Sequence, residues 1–460
     1  MAKFKISPAL WDKIYHFASF PQAGVSLQQM ILFGQNPSQG TLLKASQFLS
    51  EELPIRLSHR VVELEGLPDG LSHVPSINTV KEWYAQSFEE LISFPRPKLN
   101  GELEEILRIP PAPYVPSLSP PPRCPPMCPD ANGPAARMSN FPPATPNPSL
   151  DPLMREGPVG SGFVSEKHLG TGGLGKRLRI PIERRYFSPP PTTIIYPPEV
   201  HEYNEKFTNL LQDIKHRHDP TVTTVAQGIL EWKRLKRANA IGTPIQEFLD
   251  RFYMSRIGIR FLLGQHIALN TLPPHPDYVG IICTKANVHD ICQEAIDNAR
   301  YVCEEHYSLF KSPSIQLVCP PSLTFPYIPG HLSHICFELL KNSLRAIVER
   351  FGRDNDELYP PIKVVVVEGR EDITIKISDE GGGIPRSALP QIWTYLYTTM
   401  SDEGLEEHLQ MSEFKAPMAG FGYGLPLSRL YARFFGGDLR IVSMDGYGTD
   451  VYISLNKLSS

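Results

Sequence analysis

The sequence predicts an α+β protein in which a helical bundle is followed by a part that combines a β-sheet with helices. Apolar residues recur every three or four positions through residues 6–94 and again through 200–272, which is the spacing of amphipathic helices. After Pro273, short runs typical of strands alternate with helical segments up to the end of the chain. These two patterns define the fold class.

Composition divides the chain into four segments. Residues 1–94 are predicted to form the first part of a helical domain, and residues 199–272 its second part. Residues 95–198 hold about half of the 47 prolines and have little to bury, so they are predicted to be a disordered insertion. Residues 273–460 are predicted to form the second domain.

Charge and hydropathy exclude two classes of partner. The formal net charge of −4 gives no basic footprint for nucleic acid. No apolar run is long enough to predict a membrane span. The seven cysteines are irregularly spaced, which favours reduced thiols inside a cell. Residues 1–5 are only slightly basic, so we expect no transit peptide.

The first chemically distinctive element is a helix predicted over residues 331–351. One face carries an apolar stripe: Ile335, Cys336, Leu339, Leu340, Leu344 and Ile347. Spacings of three, four and seven align the polar side chains on another face: His334, Glu338, Lys341, Asn342 and Arg345. Alone, this face is equally consistent with an ordinary solvated helix surface.

The second element is a strand that ends in an acid and three glycines. Residues 361–367 and 372–377 are predicted to pair as a hairpin, and the second strand runs directly into Asp379. Gly381 and Gly383 allow the backbone to approach a flat ligand, while Asp379 can accept a hydrogen bond from an amino group such as that of adenine.

The third element is a glycine-rich loop at residues 420–424, before a helix predicted over residues 427–435. Glycines at a helix start let consecutive backbone amides point towards an anion. A second hairpin is predicted from residues 439–443 and 451–455. One such loop is weak evidence, but three elements in this order predict a nucleotide pocket.

These elements resemble a known superfamily. Residues 334–342 resemble the N box, residues 379–383 the first glycine box and residues 420–425 the second glycine box of GHKL ATP-binding domains. The segment GFGYGLPLSRLYARFFGGDL resembles the mitochondrial 2-oxo-acid dehydrogenase kinases, and so do the segments SEELPIRLSHRV, EWYAQSFEEL and FLDRFYMSRIGIRFLLGQH. The resemblance implies a four-helix-bundle-like regulatory and lipoyl-binding domain, followed by a GHKL (Bergerat) α/β sandwich with a mixed, largely antiparallel sheet.

The resemblance implies catalytic roles for two residues. Glu338 would be the general base that takes the proton of a substrate serine, and His334 would tune it through a hydrogen bond. Asn342 would bind Mg²⁺, and residues 400–418 would form a lid. The nucleotide-binding residues implied are Lys341, Asn342, Arg345, Asp379, Gly381, Gly383, Thr398, Thr399, Gly420, Phe421, Gly422, Tyr423, Gly424, Leu425 and Thr449.

A regulatory pocket and several partners follow from the same resemblance. Tyr84, Ser87, Arg256 and Arg260 match positions that bind small 2-oxo-acid-like inhibitors in the family, and His218 matches a family histidine, here interpreted as structural or as part of the pocket wall. The implied ligands are ATP, Mg²⁺ and K⁺. The implied partners are the dehydrogenase component as substrate, the lipoyl domain of the acyltransferase core and a second copy of the chain, in the mitochondrial matrix. Animal kinases carry a longer C-terminal tail, which leaves the docking mode open.

Several functions remain as alternatives. The segments EWYAQSF and DRFYMSR favour a pyruvate dehydrogenase kinase, whereas the short C-terminus favours the branched-chain enzyme. A sensor histidine kinase would need a phosphoacceptor segment that the sequence does not show. A GHKL ATPase machine would need a transducer domain after the last strand. A catalytically silent scaffold would not need Glu338, Asn342 and Asp379, so the presence of these residues argues against it.

Overall fold

The computed structural model describes residues 4–35, 37–95, 196–236, 241–397 and 422–457. The predicted insertion at 95–198 lies almost wholly outside the described residues, and so does the predicted lid at 400–418. Within the described ranges, no helix is long and apolar enough to cross a membrane.

The first part is helical, as predicted. Its helices are α1 (Pro8–Ala18), α2 (Leu27–Gly34), α3 (Gln39–Glu65), α4 (Pro75–Ser93), α5 (Pro198–Arg217), α6 (Thr221–Lys236) and α7 (Thr243–Thr271). Helix α3 packs against α4, α5 and α7, and α4 also packs against α6. Ser38 caps the start of α3, because its hydroxyl accepts a hydrogen bond from the amide of Thr41 at 3.2 Å. The helices on both sides of the insertion therefore share one apolar core.

The second part contains two sheets and three further helices. The helices are α8 (Val288–Tyr307), α9 (Pro329–Phe351) and α10 (Gly424–Phe434). The strands are β1 (Tyr278–Val279), β2 (Ile282–Asn287), β3 (Ile315–Val318), β4 (Thr324–Tyr327), β5 (Ile362–Glu368), β6 (Asp372–Asp379), β7 (Asp438–Met444) and β8 (Gly448–Asn456). A small antiparallel sheet has the order β1-β2-β4, and the main sheet has the order β3-β5-β6-β8-β7.

The main sheet is mixed, because β3 runs parallel to β5 while all other neighbours are antiparallel. Both predicted hairpins are present as β5–β6 and β7–β8, and the predicted helices correspond to α9 and α10. This combination of a helical part and a mixed, largely antiparallel sheet confirms the predicted fold class. The domain boundaries themselves stay predictions.

Strand periodicity positions the first site residue. Residues Ile373, Ile375 and Ile377 are fully buried, and alternation places Asp379 on the same face two residues later. That face packs against α9. The carboxylate therefore enters the interior at the point where the strand ends.

Candidate nucleotide and catalytic site

Glu338 lies at the centre of the site, on the third turn of α9. Its Oε1 accepts a hydrogen bond from Lys341 Nζ at 2.9 Å, and only 15% of its side chain and 4% of that of Lys341 are exposed. A Cβ added to Gly424 would lie 2.4 Å from Oε2, so the other carboxylate oxygen abuts the backbone at the start of α10. A carboxylate is thus held between a buried ammonium group and a helix N-terminus that follows a glycine loop.

Asn342 lies one turn beyond Glu338 and is exposed. An amide oxygen is a hard ligand, and Mg²⁺ takes few protein ligands because it retains waters and binds phosphate oxygens. Among the residues described, no group of three His, Cys, Asp or Glu side chains could hold a metal ion. A single amide ligand at Asn342 fits an ion that is bound mainly through the phosphates of a nucleotide.

Asp379 is 8% exposed and is held by three donors. Oδ2 accepts a hydrogen bond from the Ser343 hydroxyl at 2.8 Å, and Oδ1 accepts one from the Gly381 amide at 3.0 Å. Burial raises the pKa of Asp379, while these bonds and one from the Thr449 amide act in the opposite direction. Ser343 does not belong to the residues implied by the sequence, because its partner lies 36 positions away.

The first glycine box is packed tightly against its surroundings. A Cβ at Gly381 would lie 2.4 Å from Ala346 Cβ, and one at Gly383, whose φ is +75°, would lie 2.0 Å from the Met444 carbonyl oxygen. Neither position has room for a side chain, and the positive φ adds strain at Gly383. The glycines therefore fix the loop against α9 and the β7–β8 hairpin.

Arg350 fastens this loop, a role that the sequence patterns did not indicate. Its guanidinium donates to the carbonyls of Glu380 and Tyr447 at 2.7 Å and to that of Gly446 at 3.0 Å. Gly446 N in turn donates to the Gly382 carbonyl at 2.8 Å. An exposed arginine near a helix end is too common to have predicted this.

The second glycine box is described only from Gly422 onward. A Cβ at Gly422 would lie 2.5 Å from the Tyr397 carbonyl oxygen, and its φ is +72°. The ring of Tyr423 is buried, 5.7 Å from the ring of Tyr253 and 5.2 Å from that of Tyr395. Its side chain therefore faces the helical part, and Leu425 is also half-buried. The predicted residues Thr398, Thr399, Gly420 and Phe421 lie outside the described residues.

His334 lies one turn before Glu338, as predicted, but its Nε2 is buried without a hydrogen-bond partner in the described part of the chain. Burial lowers the pKa of His334, and the Glu338 carboxylate raises it by a smaller effect. Its ring lies 5.1 Å from that of Tyr431. The geometry supports an electrostatic influence on Glu338, and the proposed hydrogen bond stays a prediction.

Arg345 lies further along the same face of α9. Its Nε donates to Glu349 Oε1 at 2.6 Å, one turn further towards the helix C-terminus. Its role as a phosphate neighbour stays a prediction.

The five predicted regulatory residues lie together between α4, α5 and α7. The rings of Tyr84 and His218 stack at 4.3 Å, and Ser87 Oγ lies 3.0 Å from His218 Nε2. Arg256 donates to the Asp219 carbonyl at 3.3 Å, and Arg260 donates to the Asp219 carboxylate at 2.6 Å. Burial lowers the pKa of His218 to about 3, so its ring is neutral at physiological pH.

The matching families and relatives agree with this geometry. Residues 24–283 match the family model described as mitochondrial branched-chain alpha-ketoacid dehydrogenase kinase. Residues 328–459 match the histidine kinase-, DNA gyrase B- and HSP90-like ATPase model, which contains α9 and both glycine boxes.

Three of the relatives match nearly the whole chain. The mitochondrial pyruvate dehydrogenase (acetyl-transferring) kinase of Schizosaccharomyces pombe is 42% identical over 98% of this chain and 97% of its own length. That of Arabidopsis thaliana is 36% identical over 98% and 94%. Isozyme 3 of Homo sapiens is 32% identical over 97% and 86%. This chain therefore belongs to the family of mitochondrial 2-oxo-acid dehydrogenase kinases.

Proposed function

We propose that the chain is an ATP-dependent protein serine kinase that phosphorylates and inactivates the dehydrogenase component of the pyruvate dehydrogenase complex. The observation that carries this proposal is the position of the Glu338 carboxylate, between Lys341 Nζ and the start of α10. A base beside a phosphate-binding loop suits transfer of a phosphoryl group to a hydroxyl.

Glu338 would take the proton of the substrate serine as its oxygen attacks the γ-phosphorus of ATP and ADP leaves. Lys341 holds the carboxylate in place through its 2.9 Å bond. Mg²⁺, bound through Asn342 and the phosphates, would neutralise the charge that develops on the phosphate oxygens. Binding of K⁺ is part of the same proposal and is supported only by the family resemblance.

Asp379 would select adenine by accepting a hydrogen bond from its amino group. Its two oxygens already accept bonds from Ser343 and Gly381, so their orientation is fixed before the nucleotide arrives. Thr449 lies opposite Asp379 in the β6–β8 register, which supports a place for it in the adenine pocket. The glycines of both boxes and the segment that contains Thr398 and Thr399 would surround the nucleotide.

The cluster around His218 would bind a small carboxylate such as a 2-oxo acid. Arg256 and Arg260 supply the cations, and the stacked pair of Tyr84 and His218 supplies a rigid wall. Because His218 is neutral, it can donate a hydrogen bond without adding charge. Arg256→Gln should weaken inhibition by such an acid while leaving nucleotide affinity unchanged.

The remaining partners rest on the family and on one surface. We propose that the helical part docks on the lipoyl domain of the acyltransferase core, in the mitochondrial matrix. We also propose a homodimer, which is supported by the outer face of the main sheet, where Val367, Val442 and Met444 are more than half exposed. Light scattering after gel filtration tests the dimer.

Incubation with labelled ATP and each purified dehydrogenase complex tests the proposed substrate. Label on the pyruvate dehydrogenase component is expected. The branched-chain complex is the second candidate, because the family model that matches residues 24–283 carries its name. Label on neither complex, with ATP still bound, would point to a scaffold.

A further inference from the structure

A groove lies between α8 and α9, next to the turn of α9 that carries the proposed base. Its volume is about 420 Å³. Tyr301, Val302 and Asn298 of α8 form one wall, and Ser333, His334 and Phe337 of α9 form the other. Gly330 lies at its end, in the first turn of α9.

The groove borders Glu338 through two of its wall residues. His334 lies one turn before Glu338 and interacts electrostatically with it. Lys341 Nζ lies 5.2 Å from the centre of the Phe337 ring and 2.9 Å from Glu338 Oε1. The groove is therefore lined by one side chain that interacts with the carboxylate and by another that neighbours its lysine partner.

The lining indicates the chemistry of the occupant. No side chain of the groove carries a fixed charge, so the groove does not suit a phosphate or an acidic ligand. Tyr301 is 66% exposed and stands opposite Phe337, which gives two aromatic walls for an apolar or aromatic side chain. The side chains of Asn298 and Ser333 can bond to peptide groups.

The reach between the groove and the base fits a polypeptide. His334 precedes Glu338 by about 6 Å along the axis of α9, and Gly330 precedes it by about 12 Å, at a rise of about 1.5 Å per residue. An extended chain covers about 3.3–3.6 Å per residue. A chain whose serine contacts Glu338 therefore places residues about two to four positions away within the groove.

From this arrangement we infer that the groove binds the segment of the protein substrate that flanks the phosphorylated serine, and takes an apolar or aromatic side chain two to four residues from it. The inference rests on the proposed kinase function and adds to it the surface that recognises the substrate.

Gly330 offers a way to block the groove without disturbing the fold. No atom lies within 4 Å of a Cβ added there, and its backbone does not require glycine. Gly330→Trp should fill the groove. Gly66→Trp is the matched control, because Gly66 is exposed, lies far from α9 in the sequence and meets only ordinary contacts at its Cβ.

The assay uses the full chain, the isolated dehydrogenase component and labelled ATP. Gly330→Trp should raise KM for the dehydrogenase component by about tenfold or more, the effect of losing one buried apolar side chain. Affinity for ATP and thermal stability should stay as in the parent chain. An unchanged KM in Gly330→Trp would overturn the inference, whereas absence of phosphorylation by the parent chain would overturn the kinase function instead.

A second pair of variants examines the wall itself. Tyr301→Ala should raise the same KM, while Phe310→Ala, which removes a fully exposed aromatic ring just after α8, should not. A photoreactive benzoylphenylalanine at position 301 should crosslink to the segment around the phosphorylated serine. Crosslinks confined to other parts of the substrate would contradict the assignment.

Discussion

The bond between Ser343 and Asp379 gives the most quantitative test of how the carboxylate proposed to select adenine is held. Ser343 is 3% exposed and its hydroxyl lies 2.8 Å from Asp379 Oδ2. A hydrogen bond to a charged group contributes about 1.5–3 kcal/mol, and its loss leaves a buried acceptor with one donor fewer. Ser343→Ala should therefore lower the free energy of unfolding by about 1.5–3 kcal/mol.

The same substitution should change the pH dependence of nucleotide binding. Burial already raises the pKa of Asp379, and removing one of the donors that opposes this effect should raise it further. In the proposed site the ionised carboxylate accepts the hydrogen bond from adenine, so nucleotide affinity should fall as pH falls through the pKa of Asp379. The midpoint of this fall should lie at higher pH in Ser343→Ala. The stability lost in Ser343→Ala should become smaller as pH falls, because a protonated carboxyl depends less on the hydrogen bond from the hydroxyl.

Chemical denaturation and calorimetric titration with ADP, carried from neutral pH down to the ordinary carboxyl pKa of 3.8, measure both effects. Ser428→Ala is the matched control, because Ser428 is also fully buried but its hydroxyl has no partner among the described residues. That control should be neutral or stabilising. If Ser343→Ala behaves like Ser428→Ala, with the same midpoint for ADP, the role given to this bond is wrong.

Two further predictions concern the glycine box and a buried histidine. Gly383→Ala should destabilise the fold and weaken ATP binding, because its Cβ would lie 2.0 Å from the Met444 carbonyl oxygen. Gly382→Ala is the control: its φ is also positive, but its Cβ would meet only Arg350 Cδ at 3.6 Å, so it should lower stability and ATP affinity less. Equal losses in the two variants, measured by thermal denaturation and ATP titration, would refute this. Burial lowers the pKa of His266 to about 3 from an ordinary 6.5, so the neutral ring contributes stability above pH 6.5 that is lost as pH falls towards 3, about 2 kcal/mol by pH 5. Urea denaturation measures the free energy of unfolding that each protein loses between pH 7 and pH 5. This loss should be smaller by that amount in His266→Gln than in the parent chain, and an equal loss in the two proteins would contradict the reasoning.

Local patterns predicted much of the fold. The alternation that makes Ile373, Ile375 and Ile377 buried also positions Asp379, and the helical stripe of α9 is buried as expected. Such patterns depend only on residues close in sequence. The parallel pairing of β3 with β5 was not predicted, because it depends on distant segments.

The same limit applies to the site. The resemblance identified Glu338 and Asp379, but the contacts that hold them come from side chains without a sequence signal, such as Ser343 and Arg350. Lys341 is paired with Glu338, a contact that the sequence did not indicate, and its place near the phosphates stays a prediction. An i,i+3 spacing permits this pair on any helix, so only packing could select it.

Phosphoryl transfer by Glu338→Gln tests the central claim most directly. The substitution keeps the size of the side chain and removes its ability to take a proton. The assay measures transfer of label from ATP to the dehydrogenase component, and a parallel titration measures ATP affinity. Glu294→Gln, on the exposed face of α8, is the control. The geometry predicts that transfer to serine is abolished in Glu338→Gln while ATP binds as before. Transfer at the parental rate would contradict the assignment of Glu338 as the base.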